Sequence, residues 1–375
     1  SNDPHFGEYI QDYYKVIGWL SGFTGEAGTL AITLDEAALW TDSRFFIQAE
    51  RQLKESGTEL KRLKTPGCES VEEWFRARLS PGMKVCVDSD LYSLSSFRVL
   101  KKNLQPLDLV PVRDPFSSLW KGRGSIRVEK IRTLGIGITG ESTSSKHARI
   151  VQALSHQGEF LYLLSSCDDI AWLCNIRGND VEYNPVALSY VAFTKESLFL
   201  FAKKGSIPDP EKKTLEREGV IIKDYYEFEK FITDYPSDIT RIASPDKLTL
   251  CKYSAATANG SDFIPDNIRG GVVASLKAVK NSKEVEGFRK AMLLDGLAWV
   301  RMWMWLESTI KNDGPLPAES EVSDKLSELR AESEDYLGES FAPISAYGAN
   351  AAMPHYETDR NNPARLEKRS FLLLD

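Results

Sequence analysis

The sequence reads WLSGFTG at residues 19–25 and WLCNIRG at residues 172–178, so the pattern W-L-x-x-x-x-G occurs twice. Two runs of β-branched and aromatic residues around a short polar turn follow each copy, and this arrangement is typical of a β-hairpin. The expected hairpin strands are residues 29–33 and 37–40 after the first copy, and residues 188–194 and 197–201 after the second. The same motif before the same hairpin predicts two related α/β domains.

The surroundings of the second copy differ from those of the first. An amphipathic pattern predicts a helix over residues 144–157, and an apolar run predicts a strand over residues 159–164, both ahead of Trp172. Only eighteen residues precede Trp19. If the two domains are related, we expect that the first has lost its leading helix and strand, and that Ser1 is not the biological start of the protein.

Two segments of the sequence predict the domain boundaries. Proline and serine residues cluster at 113–120, and residues 279–282 precede a long apolar pattern. Asn281 and Glu284 have the spacing of a capping box, which predicts a helix start there. We therefore expect domains over residues 1–115, 116–278 and 279–375, in an α/β protein of 375 residues.

The third segment has helical and strand patterns of its own. Apolar residues at helical spacing predict a long helix after Asn281, with Trp299 and Trp303 on its packed face and Gly296 at the close approach of a neighbouring backbone. A second helix is expected over residues 319–330. The tail, residues 370–375, is expected to be a buried strand that ends on Asp375.

Composition excludes several classes of function. A net charge of −7 argues against a nucleic-acid or anionic-membrane partner, and no apolar run reaches the ~20 residues that a membrane span needs. The chain opens with polar, turn-forming residues and lacks a signal-peptide pattern. Its five cysteines are scattered without metal-ligand spacing, so we expect reduced, mostly buried thiols in a cytoplasmic protein.

Few residues point to chemistry by pattern alone. Among the four histidines, His355 follows a loop of small residues that suits close approach by a substrate. The glycine-rich stretch at residues 22–28 lacks both the G-x-G-x-x-G spacing and the G-K-[ST] ending, which excludes a phosphate loop. Asp42 and Arg44 lie at the start of a predicted helix, and by pattern alone a helix cap and a surface charge are sufficient to explain them.

A family resemblance sharpens this prediction. Residues 21–29 and 38–49 resemble the creatinase-type N-terminal domain of the aminopeptidase P family, and residues 169–173 and 177–186 are similar to the second such domain of its long form. Residues 278–284 resemble the entry to the pita-bread catalytic domain. The resemblance runs through almost the whole chain in order. It implies two creatinase N-terminal-like α/β domains, followed by the first part of an α+β pita-bread domain.

The resemblance also implies an activity and a set of site residues. Members of the family release the N-terminal residue from peptides with proline in the second position, using two divalent metals, usually Mn²⁺. His355 matches a substrate-binding and catalytic histidine, Arg44 a substrate-binding arginine, and Asp375 the first metal-binding aspartate. The segment around Arg44 departs mildly from the family pattern, with Ser43 for glycine and Phe45 for tyrosine.

The implied metal set is incomplete in these 375 residues, because only Asp375 of two aspartates, one histidine and two glutamates is matched. We therefore expect this chain alone to bind no manganese stably and to hydrolyse nothing. The alternatives are a prolidase- or creatinase-like relative, and a non-catalytic peptide- or histone-binding module of pita-bread ancestry. The duplicated N-terminal domain favours aminopeptidase P. The expected partner is a peptide with an Xaa-Pro N-terminus, and the resemblance allows a homodimer of the full-length protein.

Overall fold

A computed structural model describes residues 2–312 and 314–375. Its strands are β1 Thr29–Ile32, β2 Ala37–Thr41, β3 Thr58–Arg62, β4 Lys84–Asp88, β5 Asp108–Val112, β6 Arg132–Thr133, β7 Phe160–Leu164, β8 Ile176–Arg177, β9 Ser189–Phe193, β10 Leu198–Ala202, β11 Val220–Asp224, β12 Thr240–Ala243, β13 Phe263–Pro265, β14 Ser345–Tyr347 and β15 Leu372–Leu374. Its α-helices are α1 Val16–Ser21, α2 Phe46–Gln52, α3 Val71–Arg78, α4 Leu94–Asn103, α5 Ile136–Thr139, α6 Thr143–Ala153, α7 Cys167–Leu173, α8 Asp209–Arg217, α9 Phe228–Asp234, α10 Leu250–Thr257, α11 Val272–Ala278, α12 Ser282–Lys311 and α13 Glu319–Ala331. Short 3₁₀ helices span Asp12–Tyr14, Tyr225–Glu227 and Gly348–Ala352.

The described residues divide into two compact units. The first unit contains residues 2–16 and 69–284, and the second unit contains residues 17–68 and 285–375. Each unit is therefore built from two separate stretches of the chain.

A six-stranded mixed sheet forms the centre of the first unit, with strand order β11-β10-β9-β7-β12-β13. Strand β7 is buried along its whole length, as its apolar sequence predicts for a strand covered on both faces. Its alternate residues enter different cores. Phe160, Tyr162 and Leu164 pack toward α6, α7 and α11, whereas Leu161 and Leu163 pack with residues of α9 and α10.

Both predicted hairpins are confirmed. Strands β1 and β2 pair antiparallel from Thr29 to Ile32, and β9 and β10 pair antiparallel in the same way. In each case one helix and a further strand follow, and that strand pairs in parallel with the second strand of the hairpin. The repeat thus extends beyond its sequence motif to a hairpin–helix–strand unit. The predicted helix before Trp172 is α6, and the predicted strand is β7.

The two copies of the motif have the same local geometry. Trp19 lies two residues before the end of α1, and Trp172 lies one residue before the end of α7. The residues three positions later, Gly22 and Asn175, have φ values of +78° and +52°. Glycine adopts this left-handed conformation freely, and asparagine is among the few other residues that tolerate it. The motif therefore encodes a helix followed by a left-handed turn.

The final glycine of the motif is required by packing. A Cβ atom on Gly25 would lie 2.2 Å from the Phe23 ring, and one on Gly178 would lie 2.9 Å from the Ala187 side chain. Because such distances leave no room for a methyl group, the glycine that both copies share reflects close packing of the chain that follows the turn.

The predicted capping box at the start of α12 is confirmed. The Asn281 backbone N–H donates to Glu284 Oε2 at 2.9 Å, and the Glu284 backbone N–H donates to Asn281 Oδ1 at 3.0 Å. This reciprocal pair satisfies two of the N–H groups that every helix start leaves without an intrahelical partner.

The second unit contains two small sheets and a helical core. Strands β1, β2 and β3 form a three-stranded sheet, and β14 pairs antiparallel with β15. Helices α12 and α13, the latter close to the predicted range, share a core. Its buried apolar residues are Ala298, Met302, Leu306, Val322, Leu326, Leu329 and Leu366.

Parts of the prediction for the third segment are wrong. Trp303 is 50% exposed, because the buried stripe of α12 runs through Ala298, Met302 and Leu306 while apolar residues also occupy its other faces. No neighbouring atom among the described residues lies within 4 Å of a Cβ built on Gly296. The tail does form β15, but Leu373 is 36% exposed, since this two-stranded sheet packs on one face only.

The five cysteines are free, but only Cys167 and Cys174 are buried and Cys86 is exposed, so the prediction of mostly buried thiols is wrong. None of the helices in the described ranges combines the length and the apolar character that crossing a membrane requires.

Candidate substrate-binding site

Arg44 lies in the second unit, in the short loop between β2 and α2. Its side chain forms a two-pronged pair with Asp42: Nε donates to Oδ1 at 2.8 Å, and Nη2 donates to Oδ2 at 2.8 Å. The Arg44 backbone N–H donates to the same carboxylate at 3.1 Å. These hydrogen bonds lower the pKa of Asp42 to about 2, the Arg44 side chain being the largest cause. The guanidinium is therefore fixed in orientation although about half of its surface reaches solvent.

His355 meets Arg44 although 311 positions separate them in the chain. Arg44 Nη1 lies 3.4 Å from His355 Nε2. Because arginine has only donors, His355 Nε2 is the acceptor, which places the ring proton on Nδ1. Glu26 Oε2 lies 3.8 Å from that nitrogen. The imidazole therefore has a cation on one edge and a carboxylate on the other.

An aromatic support fixes the plane of the His355 ring. The ring stacks on Phe45 at a centroid distance of 4.9 Å and an interplanar angle of 19°. Phe45 is buried and packs edge-on against Phe23 at 6.0 Å. Phe45 and Arg44 are sequence neighbours, so one loop supplies both the platform under the imidazole and the donor at its edge. Since Phe45 packs against the ring face and no hydroxyl is used, phenylalanine serves at this position where the resembled segment has tyrosine.

The loop that carries His355 is anchored by a buried glutamate. Glu319, the first residue of α13, is fully buried. Its carboxylate accepts hydrogen bonds from the Tyr347 backbone N–H, from Asn350 Nδ2 at 3.1 Å and from the Tyr356 hydroxyl at 2.9 Å. Burial, followed by this carboxylate, raises the pKa of Tyr356 to about 12. Both ends of the loop from Gly348 to His355 are thus tied to one side chain.

Sequence reasoning identified some of these residues and missed others. Arg44 and His355, both predicted as site residues, lie together. Glu26, Phe45 and Glu319 were not predicted to act with them. Phe45 directly follows Arg44, which was a usable signal, whereas nothing in the local pattern of α13 distinguishes Glu319 from an ordinary first-turn acid.

Asp375, the predicted metal ligand, lies at the end of β15. Its backbone exchanges hydrogen bonds with Ile344 at 2.9 and 3.0 Å, and it is exposed. Across the described ranges, the only three acidic, cysteine or histidine side chains close enough to hold a metal are Asp90, Glu229 and Cys251 of the first unit. One carboxylate does not form a dinuclear centre, so the residues described in the second unit do not fit a pair of metal ions.

Comparisons with known proteins match the whole length of this chain. Residues 13–119 and residues 123–284 each match a family model described as the creatinase/prolidase N-terminal domain, and residues 286–375 match metallopeptidase family M24. A probable Xaa-Pro aminopeptidase P of Neurospora crassa is 31% identical over 399 residues, which cover all of this chain and 56% of that relative. Along its whole length, this chain is homologous to Xaa-Pro aminopeptidase P proteins.

Two further relatives support the assignment. Aminopeptidase P2 of Arabidopsis thaliana is 30% identical to this chain, and the match covers all of this chain and 57% of that relative. The crystal structure of X-prolyl aminopeptidase from Caenorhabditis elegans, described as a cytosolic enzyme with a di-nuclear active site, superposes with a TM-score of 0.88 at 28% identity. That match covers 97% of this chain and 60% of the other. This chain therefore spans less than two thirds of the length of these relatives.

The fold prediction is confirmed by these matches. The protein is an α/β protein with two creatinase N-terminal domains and an M24 pita-bread domain.

Proposed function

We propose that the protein to which this chain belongs is a metal-dependent Xaa-Pro aminopeptidase, which releases the N-terminal residue from peptides with proline in the second position. The observation that supports this most directly is the meeting of Arg44 and His355 at 3.4 Å. The family's substrate-binding positions match these two residues. The names of the relatives from Neurospora crassa and Arabidopsis thaliana point to the same class of reaction.

We assign Arg44 to substrate binding. The Asp42 carboxylate accepts from Nε and Nη2 of the Arg44 guanidinium. This leaves part of Nη1 and the solvent-facing edge for a peptide carbonyl or carboxylate. Because Asp42 already orients the guanidinium, little side-chain freedom is lost when a substrate binds.

His355 is assigned to substrate binding and to stabilisation of the developing oxyanion. Its Nε2 accepts from Arg44, so the N–H available to a peptide oxygen is on Nδ1. A donor in this position stabilises negative charge on a carbonyl oxygen as the bond is broken. The Xaa-Pro bond needs such positioning because the proline nitrogen is a tertiary amide and the residue before proline is conformationally restricted.

The metal chemistry is proposed for the full-length protein. Asp375 is the proposed first ligand, and the proposed metals are two Mn²⁺ ions, which suit carboxylate oxygens with one imidazole. When bound in the full-length protein, such a pair would supply a metal-activated water and would polarise the scissile carbonyl. The proposed domains remain residues 1–115, 116–278 and 279–375. A cytoplasmic location, which follows the C. elegans relative, and a homodimer of the full-length protein belong to the same proposal.

The test measures hydrolysis by the full-length protein with Mn²⁺, using matched Xaa-Pro and Xaa-Ala tripeptides. We expect turnover of the Xaa-Pro peptide only. Arg44→Gln should raise KM, and His355→Gln should lower kcat/KM by about 10²-fold. Arg62→Gln is the matched control, because Arg62 is also exposed in the second unit and pairs with Glu50. Peptide binding without turnover would instead indicate a non-catalytic binding module.

A further inference from the structure

A cavity lies entirely within the first unit, and neither Arg44 nor His355 lines it. Its volume is about 340 Å³, within the range of small-molecule sites, ~300–1,000 Å³. Four cationic side chains line it: Arg113, Arg123, Lys203 and Lys252. The carboxylates of Asp88, Asp90, Asp114 and Glu229 line it as well, so what the cavity can bind depends on which cations these acids already neutralise.

Two of these cations share the same acids. Arg113 pairs with Glu229 at 2.6 Å and with Asp90 at 3.0 Å, and Lys252 contacts both carboxylates as well. These acids, with Cys251, are also the group that has metal-binding spacing. Because two protein cations already neutralise them, this corner of the cavity is an internal ion-pair network and does not call for a metal ion.

The remaining two cations differ from each other. Arg123 donates through Nη1 to both oxygens of Asp114, at 2.8 and 2.9 Å. Lys203, which directly follows β10, is only 6% exposed. Within residues 2–312 and 314–375, no carboxylate oxygen forms an ion pair with its ammonium, and its one hydrogen bond goes to the Tyr226 hydroxyl at 2.9 Å. Lys203 is thus a buried cation without a contacting counterion.

The surroundings of Lys203 do not supply the missing negative charge. Its ammonium lies 4.0 and 4.4 Å from the centroids of the Tyr225 and Tyr226 rings, whose faces attract cations but carry no net charge. The Lys203 charge acts on the Asp180 carboxylate from a distance, but that carboxylate accepts hydrogen bonds from the backbone N–H groups of Glu129 and Leu188, at 2.6 and 2.8 Å.

We propose that this cavity binds a small anion whose carboxylate or phosphate group is held by the Lys203 ammonium. A lysine ammonium has three donors, and here the protein uses one. The Tyr226 hydroxyl accepts from Lys203, so its own proton is free to be donated to the same anion. A buried ammonium is unfavourable until an anion or other acceptors complete its shell, and the cavity beside it provides the space.

The test uses isothermal titration calorimetry on the 375-residue chain at constant ionic strength. The probes are acetate and benzoate for a carboxylate, and inorganic phosphate and phenyl phosphate for a phosphate. We expect saturable binding of at least one probe, weakened about tenfold or more by Lys203→Met. Lys223→Met is the control, because Lys223 lies over the Phe231 ring at 5.4 Å in the same unit but does not line the cavity.

Several results would overturn the proposal. One is the absence of saturable heat for all four probes up to roughly 10 mM, where a ligand of millimolar affinity approaches saturation. Another is equal affinity of the wild type and Lys203→Met. Should Lys203→Met fail to fold by circular dichroism, Tyr226→Phe replaces it, since that change removes only the hydroxyl. Weaker anion binding by Tyr226→Phe supports the proposal, and unchanged binding contradicts it.

Discussion

His5 illustrates how a single residue outside the candidate site links burial to pH dependence. It is 1% exposed in the first unit, where Nδ1 donates to the Ser165 carbonyl at 2.8 Å and Nε2 accepts from the Tyr225 hydroxyl at 2.9 Å. Burial is the largest influence on the ring and lowers its pKa, although Asp3 acts in the opposite direction. The folded protein therefore holds His5 in its neutral form.

A pH prediction follows from that direction. Because the unfolded state binds the proton more readily, the stability that neutral His5 contributes is present above the unfolded pKa of ~6.5 and is lost as pH falls below it. From pH 7.5 to pH 5.5, the free energy of unfolding in urea should fall less for His5→Gln than for the wild type. The variant should also be less stable at pH 7.5, by about 1–3 kcal/mol, because buried hydrogen bonds are lost.

His156→Gln is the control, since His156 is exposed. It should keep the wild-type pH dependence. Burial also lowers the pKa of His147, so His147 accounts for part of the pH dependence of stability that remains in His5→Gln. An equal loss of stability between the two pH values in His5→Gln and wild type would contradict the prediction.

At the scale of elements, the start of α13 holds the loop that follows β14. Glu319 is buried with three donors around its carboxylate, so Glu319→Gln replaces a charged acceptor by an amide whose NH₂ group faces donors. We expect a loss of about 1–3 kcal/mol in unfolding free energy and a shift of the His355 ring signals in ¹H NMR. If Glu319 stabilises the fold without positioning the loop, Glu319→Gln would lower stability but leave the His355 signals unchanged, and this would contradict the prediction.

Glu328→Gln provides the matched control for this change. Glu328 belongs to the same helix, but its side chain is 66% exposed and pairs with Lys325. Exposed pairs of this kind contribute only ~0–1 kcal/mol, so stability and the His355 signals should both stay close to those of the wild type.

The secondary-structure elements are the features that the sequence predicted best. The hairpins, α6, β7, α12 and α13 follow from periodicity and capping, which depend on neighbouring residues. The buried face of α12 was predicted less well. Its sequence is apolar on several faces, so periodicity alone did not distinguish Met302, which is buried, from Trp303, which is half exposed.

At the scale of the whole molecule, these 375 residues carry one member of the proposed metal-ligand set. A single exposed carboxylate binds a divalent cation weakly, because such sites rely on several oxygen and nitrogen donors. We therefore expect the chain by itself to show no Asp375-dependent binding of Mn²⁺ by calorimetry and no hydrolysis of an Xaa-Pro tripeptide. Asp375→Asn should behave as the wild type in both assays. Turnover by the wild-type chain that Asp375→Asn abolishes would refute this.

The sequence by itself determined the resemblance to the aminopeptidase P family, the repeated hairpins and the choice of Arg44 and His355 as site candidates. These rest on local patterns and on ordered resemblance along the chain. Only the tertiary structure decided that the two residues touch, that Phe45 supports the imidazole, that Glu319 anchors its loop, and that Lys203 is a buried cation beside a cavity. The physical reason is separation in sequence. Contacts between residues tens to hundreds of positions apart depend on how whole elements pack, and no local pattern records them.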